Sequence, residues 1–366
     1  MGLPLTLTRD CNDEINKKFN KMNNNLKTIF SIKTVTKKYF VTVFVLSLFC
    51  SNVLAQKDTN YITQFERPYN IQTNTWLNDF GFYINPPRFS ESKEVIKITP
   101  NSSLQTGVSL GLKYFTVAFG VQVPRTNGNE GRFGKTNYYD FSFSYYQMWG
   151  GGEIYSRSFN GVYRTRGNDN TVSIRPDAKI DDHGLNFFYN FNYKKFSYRS
   201  ALSMAEFQKK SSGSFLVLCN VGYKSIRADS SLIPNKIDSF KNYGVLTGMN
   251  YLRLWRLNFR PGYAYNFCLK GGKWFISPSA FLGLGIASYK INNLKDFETG
   301  ASLEFDTHAK LSIGKNGHKY FWNLFVTYDG NLNAFGYPNF VAFQSTSIGI
   351  NAGYRFYKLI PKIKWL

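Results

Sequence analysis

Glu304, Asp306, His308 and Lys310 stand two residues apart along one run of the chain. On a β-strand that spacing puts all four side chains on one face. A carboxylate beside an imidazole can orient it as a base, so the set could relay protons, hold a metal or serve a hydrolytic centre. The same face could equally line an ion-paired, water-filled interior. No serine lies in a nucleophile motif, so no catalytic residue is assigned. Asp181-Asp182-His183 reads as a loop, and no metal site is expected there. Gly134-Lys135-Thr136 invites a phosphate-loop reading, but that motif needs a glycine where Asn129 stands. No cofactor is expected. Cys219 shares a face with Val217 and Val221, whereas Cys268 lies on the other face from Phe267 and Leu269. Opposite faces disfavour a disulfide and predict two free thiols.

Strands must position these groups. From 104 to 114 the apolar set falls on Leu104, Val108, Leu110 and Leu112, with Gln105, Gly107, Ser109 and Gly111 between them. The same alternation runs through 115–123, 257–269, 301–313 and 348–356. Further strands are expected at 137–149, 153–164, 184–194, 196–208, 214–227, 242–254, 273–287 and 319–329. Weaker ones lie near 76–84 and 93–99, making roughly fifteen candidates. Most reach ten residues, the length of a tilted membrane-spanning strand rather than a globular one. Short connections such as Gly150-Gly151-Gly152, Gly271-Gly272 and Asn316-Gly317 alternate with long ones at 124–136, 165–183, 288–298 and 330–340. The fold expected is all-β, an antiparallel up-and-down transmembrane β-barrel of about 12–14 strands occupying 103–366. Residues 56–102 are expected as an N-terminal segment with one or two weak strands. A soluble β-sandwich would show the same alternation with its apolar face inward. Arg199, Glu304, Asp306, His308, Lys310 and Arg355 are the residues expected to face the lumen.

Lys37 and Lys38 precede the apolar run Tyr39–Cys50, and Val53 and Ala55 fit a secretory cleavage site before Gln56. Residues 1–55 are thus an N-terminal extension and signal peptide, and Met22 is an alternative start to Met1. The segment carries eight basic and three acidic residues. The whole chain has 366 residues, a net charge of +22 and 18% aromatics. Such an aromatic chain can bury enough surface to fold, which excludes disorder. No run reaches the roughly 20 apolar residues of a spanning helix. Four cysteines exclude a disulfide scaffold. Export removes nucleic acid as a partner. The remaining charge suits a cationic lumen that selects anions, loops that meet lipopolysaccharide, or solvated turns.

Several segments together resemble a Bacteroidota domain-of-unknown-function family of exported, barrel-like proteins. They are Thr99-Pro100-Asn101 with the glycine-rich strand to Tyr114, Gly134-Lys135-Thr136 leading to Tyr139-Asp140-Phe141, and Arg175-Pro176-Asp177 with Gly184-Leu185-Asn186. The most distinctive is Lys195-Phe196-Ser197-Tyr198-Arg199, continuing through Glu206 and Gln208 to Gly213-Ser214-Phe215. The resemblance implies the outer membrane and brings no catalytic or binding residues. Asn351-Ala352-Gly353-Tyr354-Arg355-Phe356 also resembles the C-terminal signal read by barrel-assembly machinery, departing from it at Lys358. The expected partners are that machinery, outer-membrane lipid and lipopolysaccharide. The expected activity is a pore, a transport barrel or a structural barrel. The alternatives are a lipid-active hydrolase of the lumen or rim, or a soluble periplasmic binding protein.

Overall fold

The computed structural model describes residues 57–86, 94–102, 104–126, 128–166, 169–234, 240–293, 297–335 and 340–357, without the side chains of 169, 170, 201, 240 and 241. The expected signal peptide, with its cleavage site at Ala55 and Gln56, and the residues from 358 onward lie outside them. In chain order the elements are β1 (Ile62–Gln64), β2 (Tyr69–Asn85), β3 (Ile96–Thr99), β4 (Leu104–Leu112), β5 (Phe115–Gln122), α1 (Glu130–Phe133), β6 (Asn137–Tyr146), β7 (Gly150–Arg166) and β8 (Asp169–Asn190). There follow α2 (Arg199–Leu202), β9 (Glu206–Gln208), β10 (Ser212–Arg227), α3 (Phe240–Tyr243), β11 (Met249–Leu269), β12 (Trp274–Asn293), β13 (Phe297–Asn316), β14 (Tyr320–Ala334) and β15 (Phe340–Phe356).

Thirteen strands form one antiparallel sheet that closes where β15 pairs with β2, from Phe340↔Asn85 to Phe356↔Tyr69. Twelve of them are staves and β3 is a short insert. The lower half of β2 pairs with β4 and its upper half with β3, which crosses to β7 above the short β4–β5–β6 staves. The ring therefore narrows above those three strands, and apolar side chains can fill it there. Although 56–102 was expected to stand apart from the barrel, β2 is hydrogen-bonded on both sides within the ring. The expected loop at 165–183 is mostly strand, because β7 and β8 continue as one long hairpin. Gly161, at φ +81°, stands opposite Pro176, Asp177 and Ala178, a register shift with its extra residues in β8, and beyond it the face that points inward is reversed. The expected strand at 196–208 is instead a folded insert carrying α2 and β9.

Polarity is inverted relative to a soluble protein. Outward-facing Leu282 and Phe215 are 71% and 70% exposed, while inward-facing Glu304 is fully buried. Exposed apolar patches on soluble monomers rarely exceed a few hundred Å², and this band encircles the molecule. The sandwich alternative fails on this point, since the apolar faces point out. At the end holding the described chain ends, a girdle includes Tyr69 stacked near Phe356 and Trp274 set edge-on to Trp322. Such belts mark the membrane interface. Cys219 and Cys268 lie on opposite faces and both are free thiols.

Candidate functional site

The bore holds three layers. At the wide end, here called the base, the insert between β8 and β10 folds inward as a plug. Asn266 of β11 donates to Ser197 O at 2.9 Å, to Ser200 Oγ at 2.9 Å and to Gln208 Oε1 at 3.0 Å. Asn316 of β13 donates to Glu206 O, and Arg199 donates to Lys113 O in the β4–β5 turn. The insert is thus anchored to walls on several sides. Its β9 pairs with β1, so the N-terminal segment doubles the floor. Phe196 and Tyr198 pack against Leu216, Ala264 and Phe281 above it.

The salt bridge that centres the plug lies outside the spanning strands. Lys57 and Arg199 both reach Glu206, and Ser197 Oγ donates to its other oxygen at 2.5 Å. Burial alone would push the Glu206 carboxyl up, but the two cations and these hydrogen bonds hold it below its ordinary value of 4.5. A depressed folded value stabilises the plug at every pH above the ordinary one. That contribution is lost as pH falls through the folded value. Protease access to 191–211 is therefore expected to stay low at neutral pH and rise only on acidification below about 4.5. Glu206→Gln should remove this acid step. A transition near neutral pH would disprove the assignment.

The opposite end is capped by apolar packing. Leu232, Ile233, Tyr243 and Leu246, from the β10–β11 connection, are fully buried against Phe82, Ile180, Leu254 and Val341 of the wall. Arg175 latches this connection by donating to Ser231 O at 2.7 Å and Ser230 O at 3.0 Å, and Arg164 donates to Leu232 O.

Between plug and cap lies a polar chamber of about 330 Å³. Arg256 Nη1 is 2.9 Å from Glu304 Oε1, and Asn258 donates to both Glu304 and Asp306 at 2.7 Å. Arg260 faces Asp306 at 3.5 Å, and Lys224 faces Asp182 at 3.6 Å. Arg157 pairs with Asp140 at 3.1 Å, and His308 Nδ1 with Asp329 Oδ1 at 2.7 Å. Positive and negative groups nearly balance, so the interior is not the strongly cationic lumen that net charge suggested.

All six lumen candidates lie inside the bore. Glu304, Asp306, His308 and Lys310 line one face of β13, and Arg355 points inward from β15. Arg199 also lies inside, but on the plug helix α2 rather than on a wall strand. The sequence reading missed Arg157, Asp182, Lys224, Arg256, Arg260 and Asp329. Arg256 and Arg260 alternate with Trp255, Leu257 and Phe259, which was the available signal. Asp182 was hidden by reading 165–183 as a loop. His183 points outward and shares a hydrogen bond with Ser156 at 2.9 Å. Gly134-Lys135-Thr136 is a corner: Thr136 donates to Gly161 O and accepts from Asn101 N. Among the described residues no group of ligands suits a metal, and no hydroxyl is hydrogen-bonded to His308. The His308–Asp329 pair therefore does not form a serine-type triad among the described residues.

No curated protein sequence matches the chain. Among solved structures, the outer membrane protease OmpT from Escherichia coli matches at 6% identity and a TM-score of 0.38, covering 81% of this chain and 100% of that one. The translocator domain of autotransporter NalP from Neisseria meningitidis matches at 12% identity and 0.32, covering 79% and 88%. Outer membrane protein OpdK from Pseudomonas aeruginosa matches at 9% identity and 0.17, covering 78% and 99%. A family model described as Domain of unknown function (DUF4421) matches residues 56–356, nearly all of the barrel and its plug, and the chain belongs to that family.

Proposed function

We propose that this chain is an exported outer-membrane barrel that gates a small polar solute, with the mid-bore chamber as the solute's resting place. One observation carries the reading: a chamber of ion-paired groups lies between two closures made from the chain's own connections. An open diffusion pore needs neither closure. A purely structural barrel could fill its middle with apolar side chains, which avoids the desolvation of buried charge. The base, with its mostly short turns, faces the periplasm in this reading, and the apolar cap faces outward. Export through the segment ending at Ala55 and insertion by the barrel-assembly machinery are part of the proposal.

Planar-bilayer recording tests it. The native protein is expected to be silent at low voltage. Arg199→Ala combined with Glu206→Ala, which unfastens the plug, is expected to give discrete openings with weak ion preference. A steady, large conductance of the native protein would rule out the gate. Silence of the unfastened variant, with its plug shown by proteolysis to be loose, would assign the closure to the apolar cap. Silence after Arg175→Ala is added, which releases the cap's latch, would leave a structural barrel.

A further inference from the structure

The basic excess that the balanced chamber does not hold lies partly on the outer wall. The outward residues of β10 and β11 form rungs that climb from base to cap. Cys219 faces Phe259, Val221 faces Leu257, and Tyr223 faces Trp255. The next rung changes character, with Ser225 facing Arg253 and then Arg227 facing Tyr251. The Tyr223–Trp255 edge-to-face pair, with ring centroids 5.0 Å apart, marks where the apolar band ends.

Directly above that pair the neighbouring strands add two more cations. Lys290 of β12 stands opposite Arg253, and Lys179 of β8 stands opposite Arg227. Like charges placed directly across a pair of strands repel each other. Asp181, two residues along from Lys179, is already held by Lys179 at 2.9 Å and by Ser158 Oγ at 2.7 Å. Among the described residues no carboxylate pairs with Arg227, Arg253 or Lys290. Arg227 is exposed, and Lys290 Nζ sits over the Phe297 ring at 4.9 Å. Three cations on a rigid wall, Arg253 and Lys290 one rung and Arg227 two rungs above an interfacial aromatic pair, face the headgroup layer.

We infer that Arg227, Arg253 and Lys290 bind the phosphate groups of an outer-leaflet lipid. This rests on the reading that the cap end faces the outer leaflet. The wall explains the source of the phosphate: the cations adjoin the apolar band, so a phosphate on a lipid can bind them while its acyl chains lie along Leu257 and Ile286. Inorganic phosphate lacks that second contact.

The refolded full chain is titrated with diphosphoryl lipid A in zwitterionic micelles, and binding is read from Trp fluorescence. Arg227→Gln/Arg253→Gln/Lys290→Gln is expected to bind about a hundredfold more weakly than the native chain, from three interfacial charges. Lys270→Gln/Lys273→Gln, at the base, is expected to bind like the native chain. Equal affinity of the triple variant would overturn the site. An equal loss in the base variant would overturn it too, by showing diffuse charge attraction. Inorganic phosphate competing as well as lipid A would overturn the lipid source. Faster migration of the unboiled triple variant on a gel reports the intact barrel separately. Failure of lipid binding is thus distinguishable from failure of the barrel reading.

Discussion

Glu304→Leu is expected to cost the barrel about 3–5 kcal/mol of unfolding free energy, read as a lower urea midpoint for protein refolded in lipid vesicles. Glu304 is fully buried and accepts from both Arg256 Nη1 and Asn258 Nδ2. The Arg256 side chain is only 5% exposed, so removing its anion strands a guanidinium away from water. Asp182, 3.9 Å away and shared with Lys224, is too distant and too committed to replace Glu304. The double change Glu304→Leu/Arg256→Met should recover most of the loss, because it removes the orphaned charge as well. Glu304→Gln keeps an acceptor for Asn258 and is expected to fall between. A loss below about 1 kcal/mol, the range of solvated pairs, would mean that water reaches this pair freely.

The same residues show what the sequence could and could not convey. The face carrying Glu304, Asp306, His308 and Lys310 was legible because strand alternation is strict and local: each neighbour two positions away reports the same face. Which way that face points was not a local property. It followed from strand length and from the outward aromatic girdle, and the apolar band then settled it. The charge partners were illegible for a different reason. Arg256 meets Glu304 across three strands, 48 positions apart in the chain, and register between strands is set by closure of the whole ring. Residues 196–208 misled most. Phe196, Tyr198, Leu202 and Met204 mimic an alternating strand, yet their apolar side chains seat the plug against the inner wall, beside Phe281, Phe275 and Phe321. A strand pattern cannot distinguish a stave from a segment folded inside the staves.

Arg355→Ala is expected to destabilise the barrel by about 3–5 kcal/mol, within the range for breaking a buried polar network, and to free the plug. Arg355 is 1% exposed although it carries a full charge, and no carboxylate pairs with it among the described residues. Its guanidinium instead lies between the Phe65 and Phe321 rings, 3.7 Å and 4.2 Å from their centroids. It donates to Asn316 Oδ1 at 2.7 Å and to the carbonyls of Met204 and Gly317. One side chain thus joins the last stave, the N-terminal floor, the plug and the β13–β14 turn. Alanine would leave those acceptors buried without a donor and open a space between two rings. Arg355→Lys keeps the charge but not the planar fork that bonds and stacks at once, so it should recover little. The loss of stability and the loss of the plug are separable readouts. A gated barrel predicts that Arg355→Ala gains conductance and protease sensitivity at 191–211 while its outer ring still migrates as a folded barrel. If ring and plug instead unfold together in one transition, the plug is part of the barrel's core. The gate would then have to be the apolar cap, where release of Arg175 from the Ser230 and Ser231 carbonyls is the corresponding opening step.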